Sequence, residues 1–185
     1  LRIAGHLQAD GSAAEPSEDL DRWALSRLQA TIETVRERMD AYDCTAAGRA
    51  IADYVEELSN WYVRLSRRRF WEGDRAAFAT LRHCLLETVA MLAPFTPFLA
   101  DEIHRNLATG TSAIQAVGGA AIDAAAEGYG PLASVHLRDF PEVAAALADL
   151  DLEQGMEAVR LTVELGRAAR AQAKAKVRQP LRRAV

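Results

Sequence analysis

Apolar residues along this chain recur at helical spacing through most of its length. Leu20, Ala24, Leu28, Ile32, Val35 and Met39 follow one another at intervals of three and four, which places them on one helical face. Ser17 before this stripe predicts an N-cap, and Glu18 and Asp19 suit the positive end of a helix dipole. The stripe ends before Tyr42 and Asp43. A second helix is predicted from about Thr45 to Arg69, with Ala47, Ile51, Tyr54, Val55, Leu58, Trp61, Tyr62 and Leu65 as its buried face. Glu72, Gly73 and Asp74 read as a turn. Phe78, Leu81, Leu85, Val89 and Leu92 mark a third helix, which Pro94 stops. Thr96 and Pro97 then read as the N-cap and first position of a fourth helix, continuing through Ile103 and Leu107. Short connections between long amphipathic helices make neighbours antiparallel, so the fold class expected is an all-α antiparallel helical bundle.

The rest of the chain departs from that rhythm. Residues 1–18 show no clean period and read as a linker or lead-in to a bundle over 19–108. Residues 109–133 are rich in Gly and small side chains, which predicts a long mobile loop. Alternation from Ser134 to Phe140 suggests a short extended segment. A C-terminal helix from about Pro141 to Ala171 follows, with Gly155 or Gly166 as points of interruption; 134–173 is assigned to the same domain as the bundle. A basic tail, 174–185, contains Gln179-Pro180, where proline steers the preceding residue out of the helical region. The chain opens at Leu1 without an initiator Met, as a piece of a longer protein would.

Composition narrows the function classes. Half the residues are hydrophobic, enough for a packed core, and only 6% are aromatic. No run of about 18 apolar residues predicts a membrane span, and no signal peptide pattern is visible, which points to a cytoplasmic protein. Cys44 and Cys84 are too few and too far apart for a zinc site and are expected to be reduced, buried thiols. His6, His83, His104 and His136 form no metal-binding pair. No glycine-rich loop joins a strand to a helix, so neither a dinucleotide fingerprint nor a P-loop is present. Glu56, Glu57, Asp101 and Glu102 are paired carboxylates in form only; on amphipathic helices such pairs are expected to be solvated or to serve intrahelical partners.

Charge is unevenly placed. The net charge is −4, yet Arg167, Arg170, Lys174, Lys176, Arg178, Arg182 and Arg183 lie in a C-terminal stretch from 165 onward that holds no acid. The remaining residues carry 15 bases against 26 acids, and within them Arg64, Arg67, Arg68 and Arg69 form a second cluster. Basic patches on an acidic body suit a phosphate-bearing partner, because the local field matters more than the total.

Three stretches carry identity: NWYVRLSRRRFW at 60–71, LAPFTPFLADEI at 92–103 and SVHLRDFP at 134–141. With DRWALSRL at 21–28, their order and spacing resemble the anticodon-binding domain of the class I synthetases for branched aliphatic amino acids. The first stretch looks specifically like the isoleucyl-tRNA synthetase family, and KVRQPL at 176–181 is similar to a segment downstream of that domain. Phe140 stands where the family commonly has Trp, and 1–18 match poorly. The adenylation signatures, the editing domain and the cysteine-rich zinc module of the family do not occur in this chain. The resemblance implies a bundle of the class I synthetase anticodon-binding type. It also implies that the chain is the non-catalytic tRNA-recognising part of an enzyme that ligates isoleucine to its tRNA with ATP and Mg. Its partners would then be the anticodon arm of isoleucine tRNA and the rest of the parent synthetase, with no cofactor and no metal held by the chain itself.

On that basis the candidate tRNA-binding residues are Asn60, Arg64, Arg67, Arg68, Arg69, Trp71, Lys176 and Arg178. Asn60, Arg64, Arg67 and Arg68 share a polar stripe of the second helix, able to track phosphates or meet splayed bases. Trp71 sits past the apolar stripe, where base stacking and packing are both open to it. In the alternative, a plain helical scaffold, Arg64 and Arg68 pair with acids on the next helix. A third alternative, a bundle enzyme with a carboxylate-metal site, needs paired Glu-x-x-His motifs; Asp101 to His104 is the nearest approach.

Overall fold

A computed structural model describes residues 18–118 and 134–176, with the backbone alone for 108–118. The lead-in up to residue 17, the loop from 119 to 133 and the tail from 177 onward lie outside the described residues. Every described element is helical: α1 (Asp19–Asp40), α2 (Cys44–Glu57), a π-helical segment (Leu58–Val63), α3 (Arg67–Glu72), α4 (Arg75–Leu92), α5 (Pro97–Gly118), 3-10 turns at Val135–Leu137 and Ala145–Leu147, and α6 (Leu150–Gln172). The chain divides into two compact units, one up to Ala148 and one from Asp149 onward.

The first unit is a bundle centred on α4. This helix touches α1, α2, α3 and α5, and its buried residues face several directions at once. Leu28, Ile32 and Val35 of α1 and Ala47, Ile51 and Tyr54 of α2 complete the interior. The three-residue connection 41–43 turns α2 back along α1. Tyr54 bridges the two by donating its hydroxyl to the Ala24 carbonyl at 3.2 Å, and Arg27 donates to Glu57 at 3.0 Å. Asp43 caps α2 by accepting from the Ala46 amide, and Asp74 caps α4 by accepting from Ala76 and Ala77. Glu18, one residue later than the Ser17 expected, holds the N-cap position of α1.

The predicted second helix proves to be three pieces. Bonding widens to i→i+5 over Leu58–Val63, which adds a residue to the turn and shifts the register of everything after it. The buried line becomes Tyr54, Leu58, Tyr62 and Ser66, at strict intervals of four. Leu65, expected inside, is 56% exposed, and Val55 lies on the rim of the stripe, also exposed. Trp61 is half-buried. Gly73 ends α3 in the left-handed conformation at φ 78°, where a side chain would be strained. Where a loop was expected from residue 109, α5 continues through Gly118: extending a formed helix costs far less than starting one.

Residues 134–148 strap the bundle rather than extend along it. Asp101 accepts from the Ser134 hydroxyl at 2.6 Å and the Val135 amide at 3.1 Å, and it also pairs with Arg105. Arg138 donates to Glu87 at 2.8 Å, Arg36 to the Pro141 carbonyl at 2.9 Å, and the Ala144 amide to Gln29 at 2.7 Å. An extended segment would put Val135 and Leu137 on one face. The 3-10 turn separates them, so that Val135 packs with Val89, Ala90, Ala93 and Ala100 while Leu137 faces solvent.

The second unit is α6, capped by Asp149, which accepts from the Leu152 amide. It starts at Leu150 instead of near Pro141 and runs unbroken through Gly155 and Gly166. Nothing lies within 4 Å of where either glycine's Cβ would be. It closes at Lys174, in the left-handed region at φ 53°.

A candidate nucleic-acid interface on the π segment and α3

The register shift sorts the Arg-rich stretch into an inner and an outer set. Counting seven residues on from the buried Tyr62 reaches Arg69, so Arg69 is carried inward with its neighbour Phe70. The Phe70 ring meets Tyr62 edge-on at 6.2 Å and Phe78 at 5.1 Å. Both contacts fasten α3 to the core through aromatic packing.

Arg69 is the largest departure from the sequence expectation. Its guanidinium grips the fully buried Asp21 with two hydrogen bonds, of 2.7 and 2.8 Å. It donates a third to Asp74 at 2.7 Å and lies 3.4 Å from Glu18. The hydrogen bonds to Asp21 raise the Arg69 pKa further above its ordinary value, so the side chain is always charged. Burial works against the Asp74 carboxylate, but the bond from Arg69 and the Ala77 and Ala76 amides outweigh it and hold its pKa low. Tyr62 donates to Asp21 at 2.8 Å and to the Ala77 carbonyl at 3.1 Å, and burial first, then Asp21, pushes its phenol pKa up. Arg69 was a candidate tRNA ligand on sequence; its charge is instead committed to three carboxylates of the protein.

The outer set faces solvent. Arg64, Arg67 and Trp71 are exposed, Trp71 to 81%, and Arg64 and Arg67 have no ion-pair partner among the described residues. Together with Arg68, Leu65 and Glu72 they line one shallow depression. Arg68 pairs with Glu72 on its own helix at 2.8 Å, with the two side chains 86% and 60% exposed. A surface pair of that kind contributes at most about 1 kcal/mol. Asn60 is exposed on the π segment, its amide 3.4 Å from Glu56. Among the described residues no bond from Arg64 or Arg68 to an acid of the next helix is present. Lys176 belongs to the second unit, exposed, with its carbonyl accepting from Arg170 at 2.9 Å, and Arg178 lies outside the described residues.

The remaining candidates for chemistry are accounted for structurally. Asn106 donates to Glu102 at 3.2 Å, so three of the four carboxylates singled out on sequence serve partners on their own helices. Cys84 is buried, and burial pushes its thiol up to about 12; Cys44, expected inside, is exposed at the start of α2. His104 is fully buried, while His83 and His136 are exposed. Among the described residues no cluster of three or more His, Cys, Asp or Glu could hold a metal ion, and no helix is long and apolar enough to cross a membrane.

The chain is 43% identical to an isoleucine–tRNA ligase of Streptomyces coelicolor over 90% of its length. It is 44% identical to one of Deinococcus radiodurans over 95%, and 44% identical to isoleucine–tRNA ligase 2 of Bacillus thuringiensis over 88%. It spans only 14–15% of the length of these relatives. The family described as the anticodon-binding domain of tRNA ligase matches residues 21–185. A bundle with an outward basic and aromatic face, and a family match running from α1 to the end of the chain, place it in one group: the chain belongs to the anticodon-binding domain family of tRNA ligases.

Proposed function

We propose that this chain recognises the anticodon arm of isoleucine tRNA, through Asn60, Arg64, Arg67, Arg68 and Trp71. One observation carries the assignment: Arg64 and Arg67 extend into solvent without a carboxylate among the described residues, beside a Trp that is 81% exposed. Guanidinium groups bind phosphates in a two-pronged geometry, and an exposed indole offers a face on which an unstacked base can lie. Lys176, with Arg178 outside the described residues, adds further basic candidates for phosphate contact. Arg69 belongs to the support of this surface rather than to its contacts.

The chain works as the recognition part of a cytoplasmic ligase that joins isoleucine to its tRNA with ATP and Mg, its relatives being isoleucine–tRNA ligases about seven times longer. Adenylation and editing belong to the remainder of such an enzyme, and this chain holds the anticodon arm. The test compares isoleucine tRNA transcripts that differ only in the anticodon, titrated against the 185-residue chain in filter binding. Tighter binding of the native anticodon by about tenfold or more is expected, since each misread base costs roughly 1–3 kcal/mol in comparable direct readout. Equal affinity for both transcripts would reduce the role to backbone contact, and no binding of either would overturn it.

A further inference from the structure

We infer that Arg69 is a positioning residue for tRNA binding: with Asp21 and Asp74 it forms a clasp that fixes the rotation of α3 and so aims Arg67, Arg68 and Trp71 outward. This rests on the tRNA-binding role proposed above for those three side chains.

The geometry is specific to rotation. α3 is only six residues long, too short to hold itself in water, and follows a π segment and a break at Ser66. Its orientation is therefore set by what its inward side chains grip. Phe70 gives an apolar anchor, but an aromatic contact tolerates sliding and tilting. Arg69 does not, because a planar guanidinium matched to a carboxylate by two bonds has one good orientation. The carboxylates it holds come from different elements: Asp21 from the first turn of α1 and Asp74 from the cap of α4. Successive helical residues are about 100° apart, so fixing Arg69 inward turns Arg67 and Arg68 to solvent, and Trp71 with them. Arg68 and Trp71, three apart, then share the outward face with Arg64, four residues before Arg68.

Asp21→Leu with Arg69→Met removes both members of the buried pair together, and the Tyr62 hydroxyl keeps the Ala77 carbonyl as acceptor. The variant is read by affinity for an isoleucine tRNA transcript, in the native background and in one already carrying Arg68→Ala and Trp71→Ala. Loss of the clasp should weaken binding about tenfold in the native background and only about two- to threefold in the second, because Arg67 alone of the three groups it aims is then left. Arg69→Lys is the second variant: it keeps the charge but cannot reproduce the fork. Weakened binding by Arg69→Lys supports positioning, and unchanged binding overturns it. Equal losses in the two backgrounds also overturn it, with tRNA binding by the face left intact. If Arg68→Ala with Trp71→Ala does not itself weaken binding, the face is misassigned and both proposals fall.

Discussion

Replacing Arg69 alone by Met should be among the most destabilising single changes in the bundle, and the structure gives the reason a size. Arg69 supplies two bonds to a carboxylate with no solvent exposure and a third to Asp74. Removing it leaves the Asp21 charge buried without its cation, and breaking a buried pair on one side costs about 3–5 kcal/mol. Domains of this size have only about 5–15 kcal/mol of stability in total. With a urea slope of about 2 kcal/mol per molar, the midpoint should fall by roughly 1.5–2.5 M. Asp21→Leu combined with Arg69→Met should recover most of that loss and lie within about 1 kcal/mol of the native chain, since an apolar pair replaces a desolvated one. Urea denaturation followed by the fluorescence of the buried Trp23 reports on the first unit, with far-UV circular dichroism for the whole chain. A single variant that loses under 1 kcal/mol, or a double variant no better than the single, would refute the reasoning. The pair would then be behaving as a solvated surface bridge.

Other outcomes follow from the same contacts. Leu28→Ala, at a fully buried position of α1, should cost about 2–5 kcal/mol, read from the same urea curves, and a loss under 1 kcal/mol would mean the α1 face is not core. The hydrogen bond from Ser134, then Arg105 and the Val135 amide, lower the Asp101 pKa from 3.8 to about 2. Its contribution is therefore complete above about pH 4 and lost as pH falls toward 2. Asp101→Asn should flatten the pH dependence of stability in that window, and an unchanged acid limb would contradict it. Gly73→Ala should cost about 1–2 kcal/mol through left-handed strain at φ 78°, measured as a lower melting temperature.

Much of the bundle was legible because the physics is local. The α1 stripe, the Glu72-Gly73-Asp74 turn and Pro94 that bound α4 and the Pro97 start of α5 are read from spacing and caps alone. The π segment was not, since i→i+5 bonding leaves no mark in a three-and-four pattern, and it moved Leu65 out and Ser66 in. Nothing in the sequence pattern marks Asp21 for burial, which goes with Arg69, 48 residues away. The inward turn of Arg69 could have been found, because it lies one heptad beyond Tyr62 on the same face. Val135 and Leu137 alternate in sequence with their neighbours as a strand would, and only the Asp101 contacts impose the turn that separates them. Small residues at 109–118 suggested a loop, but helix propagation from Pro97 prevailed. The outward placement of Arg64, Arg68 and Trp71 agrees with the sequence pattern, whereas Arg69 was grouped with them because composition alone cannot tell a committed charge from a free one.

Salt titration of tRNA binding tests the outward face most directly. With three arginines on the depression, log affinity of the chain for an isoleucine tRNA transcript should fall with log salt at a slope of about −2 or steeper. Arg64→Glu with Arg68→Glu should flatten that slope by about one to two units and weaken binding. The melting temperature should move little, because Arg68 loses only an exposed pair and Arg64 has none among the described residues. An unchanged slope with a lowered melting temperature would mean that these arginines hold the bundle together and that tRNA is bound elsewhere.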